Sequence, residues 1–284
     1  MGTDAPLPAE LYTRPEAFQR ERHRVFGDAW LLLARAGVLA KPGDYVAQSL
    51  GGWPVLAIAD AGAVPRGFRN VCRHQKLPLF DSGAGRCEQI RCRYHGWTYD
   101  IAGRFVTAPA AVAPSGELSS DLERVAAETL HGLLFVHLAD DPLPLAVALP
   151  VLAEARLEAR GFRAETITDI DANWKLVMEQ IAAEPSTNLA RVIAWPGVVL
   201  ETSGDEVVLH QVIARSFHRT RIHHHRYGAV AAGNDVAARV ARWKADALAR
   251  QAALVAGRDL APLGSPELED FRNRVRAAHV GGPL

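Results

Sequence analysis

The 284-residue chain has no excess of either charge: 32 basic residues stand against 32 acidic ones. That balance argues against a general nucleic-acid binder and against a polybasic membrane binder, since both rely on concentrated positive charge. Lysine is scarce, occurring only at positions 41, 76, 175 and 244. Cysteine is scarcer, at Cys72, Cys87 and Cys92. An odd count in a chain of this size does not make a disulfide framework. No apolar run is long: the stretch from Ala29 to Ala40 is interrupted by Arg35 and is too short to cross a bilayer. The opening MGTDAPLP lacks the basic and apolar regions of a secretory signal. Pro6 breaks the myristoylation pattern that a Met-Gly start would begin. These absences lead to the expectation of a cytoplasmic protein with no membrane and no nucleic-acid partner. Hydrophobic residues make up 49% of the chain, enough for a sizeable core and too many for wholesale disorder.

The pattern of apolar residues changes along the chain. Residues 14–30 read as a helix, with Pro15 in its first turn and Phe18, His23, Val25, Phe26 and Trp30 as an approximate stripe. From Gly37 onward the runs DYVAQSL, PVLAIAD, RGFRNV, WTYD and RFVTAP, punctuated by Gly and Pro, read as a small all-β domain. GLLFVHL at 132–138 is a further strand, and DDPLPL at 140–145 a linker. The second half reads as α+β. Residues 165–172 are extended and 173–183 helical, with Trp174, Val177, Met178 and Ile181 on one face. GVVLET, EVVLHQVIA and RTRIHHHRYG are strands. Asp235 to Val255 form a helix stopped near Gly257, and a last helix begins at Ser265-Pro266. Trp174, Trp195 and Trp243 read as core residues.

The strongest chemical signal is Cys72-x-His74, seventeen residues, then Cys92-x-x-His95. Two thiolates and two imidazoles on two loops can hold one tetrahedral Zn²⁺. They can equally hold a [2Fe-2S] cluster with both Cys on one iron and both His on the other, an arrangement that raises the reduction potential.

The residues around these ligands resemble the Rieske non-haem iron oxygenases, the α subunits of ring-hydroxylating and N-demethylating oxygenases. The family form is close to N-x-C-x-H-R-G followed by C-x-Y-H-G-W-x-Y-D-x-x-G. Here Asn70, Cys72, His74, Cys92, Tyr94, His95, Gly96, Trp97, Tyr99, Asp100 and Gly103 occupy those places. The chain departs at Gln75 and Lys76, where Arg-Gly is usual, and no ligand is lost. The resemblance implies a Rieske [2Fe-2S] cluster on Cys72, His74, Cys92 and His95, with Tyr94, Gly96 and Trp97 shaping the second loop and no cluster role for Cys87. It extends to LYTRPEAFQRERHRVFGDAW, HGLLFVHLADDPLPL and ANWKLVMEQ, the last like the family's N-W-K-x-x-x-E-N entry into the catalytic domain. The implied fold is α+β: an all-β Rieske domain (39–145) inserted in a shortened helix-grip (START-like) domain (146–284), with an N-terminal helix (1–38) packing on the latter.

One family motif is missing. A mononuclear Fe(II) is held in the family by two His and a carboxylate, the first two in a stretch like E-N-x-x-E-x-Y-H-x-x-x-x-H. Laid on that pattern from Glu179, this chain puts Ala183 at the acidic position, and Ser186 and Arg191 at the histidines. No histidine occurs between His137 and His210, so a slip of register restores none. The long segment that follows in the family, before its W-P strand, is also missing. Asp270 matches the carboxylate of the family's last helix and is a possible vestigial iron ligand. An acid near a helix N-terminus is the plainer account of it. Alternation puts His223 and His225 on one strand face, where they could form a relocated metal site or simply line the sheet.

The resulting expectation is an electron-transfer and structural subunit of a heteromeric oxygenase, without its own mononuclear Fe(II). Its partners would be a catalytic oxygenase α subunit in a trimeric or hexameric ring and a reductase or ferredoxin donor. One alternative is an autonomous oxygenase with an iron site rebuilt from Glu179, Glu184, Asp270 or His223. Another is a non-enzymatic redox-sensing or ligand-binding module.

Overall fold

A computed structural model describes residues 5–114, 120–139, 141–185, 189–229 and 235–280. Asp140 of the expected linker and Ser186 lie outside the described residues. The chain divides into two compact units, Trp30–Ala148 and the combination of Met1–Ala29 with Leu149–Leu284. The β unit is therefore inserted in the sequence of the other. Among the described residues no helix is long and apolar enough to cross a membrane.

Among the described residues the inserted unit has ten antiparallel strands: β1 (Leu31–Arg35), β2 (Asp44–Leu50), β3 (Trp53–Ala59), β4 (Pro65–Arg69), β5 (Gly83–Arg86), β6 (Ile90–Arg91), β7 (Thr98–Tyr99), β8 (Phe105–Thr107), β9 (Arg124–Leu130) and β10 (Leu133–His137). Seven form one sheet in the order β1-β10-β9-β4-β3-β2-β5, and β6-β7-β8 form a second. The two-residue turn between β2 and β3 is Gly51-Gly52, with φ of 55° and 83°, and it sets Leu50 opposite Trp53. Left-handed residues at both central positions match the turn to the twist of the strands. β1, β5 and β9 were not expected from the sequence. In β1, Leu31, Leu32 and Leu33 are all buried, so no polar residue marks an outer face.

The second unit pairs a five-stranded antiparallel sheet with helices. Its strands are β11 (Phe162–Ile170), β12 (Ala190–Ala194), β13 (Val198–Ser203), β14 (Glu206–Ser216) and β15 (Arg219–Tyr227), in the order β11-β15-β14-β13-β12. The helices, numbered along the chain, are α1 (Ala9–Thr13), α2 (Pro15–Arg24), α4 (Leu157–Arg160), α5 (Trp174–Ala183), α6 (Val236–Val255) and α7 (Pro266–His279); α3 (Leu145–Ala148) belongs to the β unit. α5, α6 and α7 start at side-chain caps from Asn173, Asp235 and Ser265, which satisfy backbone donors of the first turn.

Two details of the N-terminal helix differ from the periodicity. It stops at Arg24 rather than reaching Trp30, because the chain folds back at Gly27, where a Cβ would lie 2.4 Å from the His23 carbonyl oxygen. His23 is exposed, while the neighbouring Glu21 is buried. Glu21 accepts from Lys175 Nζ at 2.6 Å and from Trp174 Nε1 at 2.8 Å. The Trp-Lys pair of the N-W-K motif thus holds α2 against α5. Burial works against the Glu21 charge, but Lys175 and His279 beside it hold its carboxyl below the usual carboxylate range.

Candidate iron–sulfur site

The two ligand loops grow from the two sheets of the β unit. The first leaves β4 and is pinned by Asn70. Its buried side chain accepts from the Phe80 N–H at 3.0 Å and donates to the Phe80 carbonyl at 2.8 Å. The second joins β6 to β7. Its far side is steadied by Asp100, whose Oδ1 accepts from the backbone N–H groups of Ala102 and Arg104, both at 2.9 Å.

The loops close alike. The Lys76 N–H donates to the Cys72 carbonyl at 2.9 Å, and the Gly96 N–H donates to the Cys92 carbonyl at 3.0 Å. Both residues are left-handed, Gly96 at φ 72° and Lys76 at φ 57°. The departure from the usual Arg-Gly therefore falls where the backbone favours glycine. Lysine keeps the same turn at a conformational cost.

Cys72 and Cys92 are both 1% exposed and form no disulfide. Burial pushes the Cys72 thiol up, and the adjacent Cys92 adds to the shift. The His74 and His95 rings meet edge to face, centroids 4.8 Å apart at 90°. His74 stacks on Trp97 at 5.3 Å, and the Trp97 indole N–H donates to the Val112 carbonyl at 2.7 Å. His74 Nδ1 is buried and has no hydrogen-bond partner among the described residues. A buried imidazole nitrogen without a partner is costly unless something else binds it. Two adjacent buried thiols, that nitrogen and a second imidazole fit a [2Fe-2S] cluster ligated Cys₂ on one side and His₂ on the other.

Tyr99 is a contributor that the motif alone did not assign. Its hydroxyl lies 3.2 Å from Cys72 Sγ and accepts from the Arg73 N–H at 3.1 Å. Cys87 packs half-buried against the core that contains Cys72 and Cys92. On the outside, Arg93 forms a two-pronged pair with Asp81, at 2.8 and 2.9 Å. Tyr94 is 48% exposed, and a groove of ≈ 560 Å³ is lined by Tyr94, His95 and Pro109 among others.

In the second unit, the positions singled out by the missing motif occupy a different chemical setting. Arg191, on β12, donates to Glu201 through Nε at 2.9 Å and Nη2 at 2.7 Å. Arg239 donates to Glu201 at 2.7 Å and to Glu184 at 2.7 Å, and Arg242 donates to Glu184 at 2.9 Å. Glu201 also meets His210 Nε2 at 2.9 Å, and His210 Nδ1 meets His224 Nδ1 at 2.7 Å. Burial would raise the Glu201 carboxyl, but hydrogen bonds from His210 and Arg239 hold it well below the usual carboxylate range. Glu179 accepts from the Tyr12 hydroxyl at 2.7 Å and from Arg272 at 2.9 Å. Asp270 is a surface residue of α7 paired with Arg274 at 2.9 Å, one turn along the helix. His223 and His225 do share one face of β15, and His224 turns to the other, toward His210.

Residues 29–126 match the Rieske [2Fe-2S] domain family. The chain is 31% identical over 181 residues to the glycine betaine monooxygenase oxygenase subunit of Chromohalobacter salexigens, covering 62% of this chain and 41% of that protein. It is 32% identical over 194 residues to the benzene 1,2-dioxygenase subunit alpha of Pseudomonas putida, covering 63% and 42%. The chain thus spans about two-fifths of the length of these relatives. Among solved structures, the quaternary ammonium Rieske monooxygenase CntA with gamma-butyrobetaine matches at TM-score 0.77 and 19% identity, over 97% of this chain and 96% of that one. Naphthalene 1,2-dioxygenase with indole matches at TM-score 0.73 and 16% identity, over 96% and 92%. These last two likenesses are of fold.

Proposed function

We propose that this chain, whose residues 29–126 match the Rieske [2Fe-2S] domain family and which is similar to oxygenase α subunits, serves as an electron-transferring and structural subunit of a heteromeric non-haem iron oxygenase, with no oxygen-activating iron of its own. The observation that carries this reading is Arg191. It stands where the resemblance places a ligand histidine, and its guanidinium is committed to buried Glu201. A guanidinium stays protonated and offers no lone pair to a metal. The surrounding Glu201, Glu184, Arg239 and His210 are engaged with one another, which supports the same reading.

Cys72, Cys92, His74 and His95 are the residues to hold the cluster. When bound, the cluster takes up one electron and passes it on. The Cys side is the buried side, and Tyr99 directs a hydroxyl at Cys72. The His side is nearer the surface, beside exposed Tyr94 and its groove. A partner's carboxylate there could accept an imidazole N–H and orient the two centres. The donor would be a reductase or ferredoxin, and the acceptor a catalytic α subunit in the same trimeric or hexameric ring.

The test is to purify the chain alone and with an oxygenase-like α subunit, then measure iron, acid-labile sulfide, the EPR spectrum after dithionite and oxygen-dependent product. The expected result is two cluster irons, two sulfides and a Rieske signal, with product only when the second chain is present. Substrate oxygenation by this chain and a reductase alone would overturn the proposal. So would failure to bind or support any such partner.

A further inference from the structure

We propose that Glu165, His223 and His225 form a binding site for a divalent transition-metal ion, with zinc as its probe. The site is independent of the electron-transfer reading and lies on the sheet face opposite the Glu201–His210–His224 network.

The site follows from strand register. His223 and His225 are two apart on β15, so both imidazoles leave the same face. β11 pairs antiparallel with β15, setting Glu165 opposite His225 and Ile167 opposite His223. Residues opposite each other in an antiparallel pair share a face, so pairing brings a carboxylate to two imidazoles from 58 residues away. No local feature of the sequence announces Glu165.

The geometry suits one ion. Glu165 Oε1 lies 2.6 Å from His223 Nδ1 and 4.0 Å from His225 Nδ1. The two rings are nearly parallel, with centroids 6.0 Å apart at 23°. One ligand atom from each of the three residues falls within 4.8 Å of the others, and no other trio of His, Cys, Asp or Glu does so among the described residues. Zinc bonds imidazole nitrogen and carboxylate oxygen at about 2.0–2.2 Å, which places tetrahedral donors about 3.3–3.6 Å apart. The observed separations bracket that spacing, so small side-chain rotations bring the three to a common centre. The 2.6 Å contact is a hydrogen bond whose shared proton the metal would replace.

The surroundings favour a held but accessible ion. The His223 and His225 side chains are 12% and 5% exposed, while Glu165 is 34% exposed at the rim. Solvent therefore has a route to the site and can supply a fourth ligand. Along the same face, the Phe162–Tyr227 aromatic pair stands on one side and the Asp169–Arg221 ion pair on the other. Two imidazoles and one carboxylate, with no thiolate, select borderline divalent ions over soft Cu(I) or hard Mg²⁺. The plainer account of the same trio is an imidazole–carboxylate hydrogen bond on a sheet surface, and metal binding separates the two.

The experiment uses the cluster-loaded full chain without a histidine tag. Zinc binding is followed by calorimetry and by metal content after dialysis at micromolar free zinc, for wild type, Glu165→Gln and His223→Gln. The expected result is one zinc per wild-type chain, binding weakened by about a hundredfold or more in either variant, and a zinc-dependent rise in melting temperature confined to wild type. The Rieske EPR signal and cluster iron should be unchanged in all three. Glu165 is partly exposed, so its Gln variant keeps the fold and isolates the ligand. No zinc uptake by wild type overturns the proposal, as does uptake that survives in both variants.

Discussion

Replacing Tyr99 with Phe removes a single hydroxyl that touches Cys72, a proposed cluster ligand. That hydroxyl sits 3.2 Å from Cys72 Sγ while accepting from the Arg73 N–H. With the cluster bound, Cys72 is a thiolate and only an acceptor, so the phenol proton is directed at sulfur. Reduction adds an electron to the cluster and increases negative charge on its sulfurs, so the O–H···S bond strengthens in the reduced state. A hydrogen bond to a charged group contributes about 1.5–3 kcal/mol. If roughly half of that is gained on reduction, the variant loses about 0.8–1.5 kcal/mol of preference for the reduced cluster. At ~59 mV per tenfold for a one-electron couple, the potential should fall by about 35–65 mV. Burial keeps the Tyr99 phenol protonated at neutral pH, and Phe preserves the ring contact with Phe105 at 6.1 Å. The assay is a dye-mediated redox titration followed by EPR, with Tyr94→Phe as the control whose hydroxyl lies on the exposed side. A Tyr99→Phe potential equal to wild type or higher would refute the assignment of Tyr99 as donor to the cluster. So would an equal drop in the control.

Three further outcomes are expected. Cys92→Ser should abolish iron and acid-labile sulfide, whereas Cys87→Ser should leave both unchanged, because Cys87 is packed against the core and contributes no ligand. Lys76→Gly should stabilise the β unit by about 0.5–1 kcal/mol, since a left-handed lysine costs roughly 1–2 kcal/mol and glycine gives part of that back in unfolded-chain freedom; the denaturant midpoint of cluster bleaching measures it. Glu201 has a folded pKa below its unfolded value, so its contribution is fully present above about pH 4.5 and is lost as pH falls below that. Acid unfolding of the α+β unit should steepen there by about 1.4 kcal/mol per pH unit. In Glu201→Gln that one-proton slope should vanish, and removing the buried carboxylate that Arg191 and Arg239 share should cost about 3–5 kcal/mol at neutral pH. An unchanged acid profile would show that Glu201 does not titrate with unfolding.

The candidate cluster ligands, helix caps, the Gly51-Gly52 turn and the longer strands of the second unit could be read from residues near one another in the chain. A metal loop needs its ligands at fixed short spacing, a cap acts within one turn, and a hairpin depends on two residues. The same locality explains the failures. β12 and β9 carry weak or no alternation, and their strand character comes from the partners they pair with. His23 seemed apolar-facing by periodicity, but the buried partner of Lys175 is Glu21, 154 positions away. A buried charge is tolerable only where its counter-charge arrives, and no local pattern reports that.

That no histidine stands between His137 and His210 was visible along the chain, as a residue count. The setting of Arg191 was not. Arg191 reads as an ordinary basic residue until β12 pairs with β13 and α6 brings Arg239 to the same Glu201. Likewise His223 and His225 were plain as a pair, because alternation is local, while Glu165 joined them only through the register of β11 on β15. Short-range geometry is written into neighbouring residues. Which distant side chains share a buried volume is settled by packing, where each charge must meet its complement.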